Sequence, residues 1–214
     1  MRALTAVLSL VFSLAACADE PVAAAAQAFK AGEHYAVLDT PVRTSNPNKI
    51  EVTEVFWYGC SHCFHFESSV QQWKKTIAED VNFRHSPAMW NGPMEIHARA
   101  FYTAKALGVM DKLHQPLFNA LNLERRALKN ADEIGALFAT HGVAKADFLK
   151  AFNSFGVTSQ VKQADARARS YKITGTPEMI VEGKYRVSAR SAGGQGKMLE
   201  VVNYLVEMER AKRS

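Results

Sequence analysis

The sequence predicts an α/β fold in which a long all-helical block interrupts a small unit of strands and helices. Three observations predict it. Segment 50–57 is dense in β-branched and aromatic residues, apolar residues then recur every three or four positions across 95–171 without a strand signal, and a hairpin pattern returns at 179–187. Beyond the leader and a tether, from about His34 to Ser214, about 180 residues remain, the size of one domain or of one domain carrying an insertion.

The elements follow in order. Strand 50–57 runs straight into Cys60, and Phe66, Val70, Trp73 and Ile77 then recur at helical spacing, with Lys74, Lys75 and Glu79 outside the stripe. A shorter strand is expected at 81–85. Within the block, Ile96, Ala100, Phe101 and Ala104, then Leu113, Leu117 and Leu121, then Ile134, Leu137 and Phe138, then Phe148 and Phe152 mark successive helices. Gly108, Gly142 and Gly156 read as helix stops, and Pro116 is expected to kink or restart a helix. Strands 179–181 and 185–187 flank the turn Glu182-Gly183-Lys184, and a last helix, 197–210, buries Leu199, Val202 and Val206.

The N-terminus sets the compartment. Met1-Arg2 and the apolar run 3–16 have the length of a signal-peptide core and are too short to span a bilayer comfortably, so export is expected. Leu14-Ala15-Ala16-Cys17 resembles the lipobox of bacterial lipoproteins, in which the cysteine becomes the lipidated N-terminus. The alternative is ordinary cleavage after the small residues Ala16-Cys17-Ala18, which discards Cys17. Either outcome accounts for the odd total of three cysteines. The Ala-rich stretch 18–33 reads as a tether that, fully extended, reaches on the order of 50 Å; an Ala-rich helix is the shorter, stiffer reading. Net charge is +5, or +4 without residues 1–16, and no run of five basic residues occurs, so nucleic acid is not an expected partner.

The chemistry concentrates in Val55-Phe56-Trp57-Tyr58-Gly59-Cys60-Ser61-His62-Cys63-Phe64-His65-Phe66-Glu67. Two cysteines two residues apart can open and close as one disulfide, and a helix start favours the thiolate of the first through its unpaired N–H groups and positive dipole end. The dipole supplies only about 0.3–2 kcal/mol, so other donors are required. His62 offers charge or an N–H, and the backbone N–H groups of His62 and Cys63 can point at the sulfur. Cys60 is therefore the expected nucleophile and Cys63 its resolving partner. A structural zinc site needs four ligands, and no second cysteine pair exists, so no metal is expected here. No cofactor is expected either.

Glu54 six residues before Cys60, Phe-Trp-Tyr-Gly-Cys-X-His-Cys, Phe66-Glu67 and Thr174-Gly175-Thr176-Pro177 together resemble the DsbA family of periplasmic dithiol oxidases, over nearly the whole mature chain. The resemblance implies a thioredoxin fold interrupted by a helical domain. That divides the chain into a signal peptide (1–16), a lipidated Cys17 and tether (17–33), the first part of the thioredoxin domain (34–94), the helical insertion (95–171) and the second part (172–214). It implies an oxidase of exported proteins with reduced cysteines, recharged by a DsbB-like membrane quinone reductase and monomeric; the lipid anchor at Cys17, the one membrane contact expected of the chain itself, departs from the many members that are soluble after export. The open alternatives are a reductase or isomerase, or a peptide-binding lipoprotein chaperone whose cysteines are a staple. Isomerases of this type usually carry a dimerisation domain first, and 18–33 is too short for one.

Strand alternation puts Glu54 on the face of Ile50, Val52 and Phe56, where a carboxylate is costly to bury unless it is used. The resemblance assigns it the proton that Cys63 must exchange. It also implies a cis Thr176-Pro177 bond lying against the disulfide, with the Thr176 peptide group pairing with substrate backbone. Ser61 stands where the family usually has proline; it restores an N–H and adds a hydroxyl, either of which could reach Cys60, and so bears on redox strength. Glu67 and His65 are expected as solvated helix residues. Trp57, Tyr58 and Phe64 are expected to divide between core and an exposed apolar surface.

Overall fold

The computed structural model describes residues 29–213. The signal segment 1–16, Cys17 and the tether as far as residue 28 lie outside the described residues. Strands β1 (Ala36–Val37) and β2 (Ile50–Phe56) lead into helix α1 (Ser61–Trp73) and strand β3 (Val81–Pro87). Five helices follow without a strand: α2 (Gly92–Ala106), α3 (Met110–Asn122), α4 (Ala131–Ala139), α5 (Lys145–Phe152) and α6 (Phe155–Ser170). The chain then returns through β4 (Glu178–Val181), β5 (Tyr185–Ser188), the short α7 (Ala189–Ala192) and α8 (Gln195–Ala211).

The five strands form one sheet in the order β1-β5-β4-β2-β3, with β2 parallel to β3 and the other pairs antiparallel. β2 lies near its centre and is buried along its whole length. Alternation sends Ile50 and Val52 of β2, with Met179, Val181 and Val187, into a core shared with Phe66, Val70 and Trp73 of α1 and with the buried side of α8. Val55 and Ile180 enter a second core with Phe101, Leu117, Phe118 and Phe138 of the helical block. The β-branched density of β2 suits a strand covered on both faces, and Cys60 follows where that strand ends.

Several expectations are corrected. β1 is too short to carry a sequence pattern, and its exposed Val37 gives no alternation to read. α1 stops at Trp73, so Ile77 packs on the Ile50–Val52 core from the following turn and not from the helix. Gly156 does not end a helix: Ser154 caps α6 by accepting from Val157 N–H, and the glycine falls in the first turn. Pro116 does not restart a helix, since α3 runs through it, and Lys112, the residue one turn before it, is exposed. Phe29, placed in the tether by its alanine-rich surroundings, is buried, with its ring edge-on to Tyr204 and His34.

The turn between β4 and β5 needs its glycine. Gly183 sits at φ +61°, and a Cβ there would lie 1.9 Å from the Val42 carbonyl oxygen, while the Gly183 carbonyl accepts from Val42 N–H at 2.8 Å. Gly183→Ala is expected to lower stability by about 2–3 kcal/mol, read as a drop in the urea midpoint. An unchanged midpoint would mean that the Val42 segment does not dock on this turn.

Candidate active site

The helical block holds the segment before the first cysteine. Trp57 Nε1 donates to His97 Nδ1 at 3.0 Å, so His97 Nε2 carries the proton and faces the Ala127 carbonyl at 3.2 Å. Burial holds the His97 ring below its ordinary pKa, in keeping with that neutral tautomer. Asn122 Nδ2 donates to the Tyr58 carbonyl at 2.8 Å. At Gly59 a Cβ would come within 2.4 Å of the Trp57 indole, so the ring folds over a position that admits no side chain without moving it. Of the three aromatic residues near the cysteines, Tyr58 is buried while Trp57 and Phe64 are partly exposed.

Cys60 is the N-cap of α1. Its extended backbone (φ −85°, ψ 115°) turns the sulfur back over the helix start, where it accepts from Cys63 N–H at 3.4 Å, the position a serine or aspartate oxygen takes in ordinary caps. Its thiol is lowered to about 5, chiefly by a hydrogen bond from the Cys63 side chain. Burial opposes this, and Thr176 and the backbone N–H groups of Cys63 and His62 add to it. Cys63 goes the other way: burial first, then the hydrogen bond to Cys60, then the charges of Cys60 and Glu54 push its thiol well above the ordinary value. The cysteines are free thiols, Cys60 half-buried and Cys63 inaccessible.

His62 and Ser61 contribute differently from what the motif suggests. Both side chains are exposed, and the lowering from His62 comes through its backbone N–H. Its carbonyl accepts from Gln195 Nε2 at 2.8 Å, which ties the start of α8 to α1. The Ser61 hydroxyl is not among the groups that lower Cys60; the Cys63 thiol takes the place expected for it. Opposite Cys60 lies the Thr174–Pro177 segment, with a cis Thr176–Pro177 bond and the Thr176 carbonyl oxygen 3.3 Å from Cys60 Sγ. Glu178 fastens this segment, its Oε1 accepting from the Thr174 N–H and hydroxyl.

Behind Cys63 is a buried polar cluster. Glu54 is wholly buried and its carboxyl oxygens make no hydrogen bond; burial and then the Glu67 charge raise it to about 8. The parallel register of β2 and β3 sets Glu54 beside His85, 3.2 Å from its Nε2. Burial and then the nearby His114 keep His85 well below its ordinary pKa. Glu67, expected in solvent, is instead 2% exposed. It follows Cys63 by one helical turn and precedes Val70, so it shares their inward face. Burial raises its pKa, but His114, His85 and Gln71 outweigh burial and hold it below the usual carboxylate range. Its oxygens lie 3.3 Å from His114 Nε2 and 3.8 Å from His85 Nε2, while His114 Nδ1 meets the Tyr58 hydroxyl at 2.8 Å. His65 is exposed as expected.

A thiolate capping a helix, a buried partner thiol one turn inward and a cis-proline segment across from them define a dithiol–disulfide oxidoreductase of thioredoxin type. Comparison with known proteins agrees. Residues 71–198 match the DSBA-like thioredoxin domain. The chain is 44% identical to the thiol:disulfide interchange protein DsbA of Azotobacter vinelandii over 182 residues, 85% of each chain. It is 39% identical to DsbA of Pseudomonas aeruginosa over 210 residues, 97% of this chain and 96% of that one. The crystal structure of P. aeruginosa DsbA superposes with a TM-score of 0.83 at 39% identity, covering 86% of this chain and 96% of that chain. The chain belongs to the DsbA family of thiol:disulfide oxidoreductases, and its fold is the thioredoxin fold with an inserted helical domain.

Proposed function

We propose that this protein is an exported dithiol oxidase of the periplasm that donates its Cys60–Cys63 disulfide to folding proteins and is recharged by a DsbB-like membrane quinone reductase. The observation that carries the direction is the asymmetry of the two thiols, with Cys60 lowered to about 5 and Cys63 raised. A stabilised thiolate favours the reduced pair, so the disulfide is readily given away. A substrate thiolate attacks Cys60 Sγ, the Cys60–Cys63 bond breaks, and Cys63 leaves with the electron pair and takes a proton. A second substrate thiolate then attacks the substrate sulfur of the mixed disulfide and releases Cys60 as a thiolate. The substrate has lost two electrons and the cysteine pair has gained them.

Equilibration with glutathione tests the direction. A poise far more oxidising than thioredoxin's is expected; a poise near thioredoxin's would favour a reductase, and a disulfide that glutathione cannot open would favour a structural staple.

Glu54 supplies the proton that Cys63 takes on leaving and receives it back on reoxidation. Its burial, its unpartnered oxygens and its charge coupling to Cys63 support that assignment. Glu54→Gln is expected to slow formation of the mixed disulfide with substrate by on the order of 10²-fold, seen by rapid-quench gels. Equal rates across pH would remove the role. The Thr176 peptide group pairs with extended substrate backbone, which suits many client sequences. The protein works as a monomer, and Cys17 is its lipid anchor. Mass spectrometry of the mature N-terminus reads the anchor directly: a diacylglycerol-modified Cys17 is expected, and a chain beginning after Cys17 would refute it.

A further inference from the structure

We propose that Glu67, His85 and His114 form a binding site for one divalent transition ion of the zinc class, buried between the sheet and the helical block. One carboxylate oxygen and two imidazole nitrogens lie within 4.8 Å of one another; His114 Nε2 stands 3.3 Å from Glu67 Oε1 and His85 Nε2 stands 3.8 Å from Glu67 Oε2. Ligand atoms about 2.0–2.2 Å from a tetrahedral zinc ion stand roughly 3.3–3.5 Å apart, so the His114–Glu67 approach already has that spacing and the other separations contract on binding.

The second observation is what these atoms fail to do. His85 Nε2, His114 Nε2 and Glu67 Oε2 are all buried and none makes a hydrogen bond, despite their proximity. Leaving buried polar atoms unpaired is expensive, and a cation at their common centre satisfies all three together. A proton-sharing cluster would instead align each N–H with an oxygen. His114 is also oriented for the purpose: the Tyr58 hydroxyl meets its Nδ1 at 2.8 Å and leaves Nε2 facing inward, the arrangement of zinc-binding histidines held by an outer partner.

Two imidazoles and one carboxylate, without thiolate, select zinc, cobalt or nickel over calcium or magnesium. Glu54, 3.2 Å from His85 Nε2, stands beside the site and outside its ligand set, where it keeps its proton for Cys63. The two histidine side chains keep 11% and 10% exposure, which gives an ion a way in. The ligands come from α1, β3 and α3, so a bound ion would join the sheet unit to the helical block.

The test uses untagged mature protein carrying Cys60→Ser and Cys63→Ser, stripped with chelator and titrated with Co²⁺ while visible absorption and thermal unfolding are followed. One equivalent with tetrahedral d–d bands and a raised Tm is expected. His114→Gln and His85→Gln should each abolish both signals, and Tyr58→Phe should weaken binding by about tenfold. The absence of bands at one equivalent overturns the proposal, as does their persistence in both histidine variants, which would assign the ion to surface residues such as His62 and His65. If circular dichroism shows that the histidine variants do not fold, Tyr58→Phe decides, and unchanged affinity there overturns it.

Discussion

Serine at position 60 or at position 63 is expected to end disulfide donation, but only serine at position 63 leaves a sulfur that can be trapped. Cys60 is the sulfur that substrate can reach and the one lowered to about 5; Cys63 has no exposed surface and stays protonated. With Cys60→Ser, oxidation of a reduced model protein should fall to the rate of a control without protein, since a hydroxyl forms no disulfide. With Cys63→Ser the internal disulfide cannot form, so Cys60 has nothing to donate to a reduced protein; its thiolate can still attack the disulfide of an oxidised protein, one sulfur of which leaves, and no neighbouring thiol returns to open the resulting mixed disulfide. Covalent complexes with a disulfide-bonded protein should accumulate on non-reducing gels, while donation to a reduced one disappears. Turnover that survives Cys60→Ser would refute the mechanism.

The second large effect is set by acid. A Cys60 thiol moved from 9.0 to about 5 should show an alkylation midpoint near pH 5 in the reduced protein, leaving only about 1% protonated at pH 7. Because the folded value is depressed, the thiolate stabilises the reduced fold fully above the unfolded value near 9, and that stabilisation is lost as pH falls through about 5. The disulfide form has no such group. Reduced protein should therefore unfold at a higher temperature than oxidised protein at pH 7, with the gap closing toward pH 4. Glu54 has the opposite sign: raised from 4.5 to about 8, it costs the fold stability as pH rises across that range. It is present in both redox forms and largely cancels from the difference. An alkylation midpoint near 9 would overturn the assignment of Cys60 as the acidic thiol.

Legibility from the sequence tracks how local each feature is. The strand entering Cys60, the helix leaving it and the side of the sheet that Glu54 faces all follow from periodicity within a dozen residues. The cis Thr176–Pro177 segment is legible only through family resemblance, since no local pattern states that it lies against Cys60. The polar cluster escapes a sequence reading because it is assembled from α1, β3 and α3. Two signals point to part of it: Glu67 follows Cys63 by one helical turn, and parallel register sets His85 beside Glu54. The motif suggests a side-chain role for His62 that its peptide group performs, because the ring of the second helical residue points to solvent while its N–H faces the sulfur. Phe29 reads as part of a tether because one aromatic residue among alanines has no periodicity to reveal its burial.

Trp57 and Tyr58 are each gripped by a different helix of the inserted block, through His97 and Asn122, immediately before the reactive sulfur. That arrangement divides the block into two kinds of surface under different constraint. Its outward residues, such as the exposed Leu123 and Phe155, can drift between lineages without moving the cysteines. Its inward side chains set the frame that aims Cys60. A graft that exchanges the whole block for a relative's should therefore keep its chemistry only when the histidine and asparagine travel with it, whatever else differs.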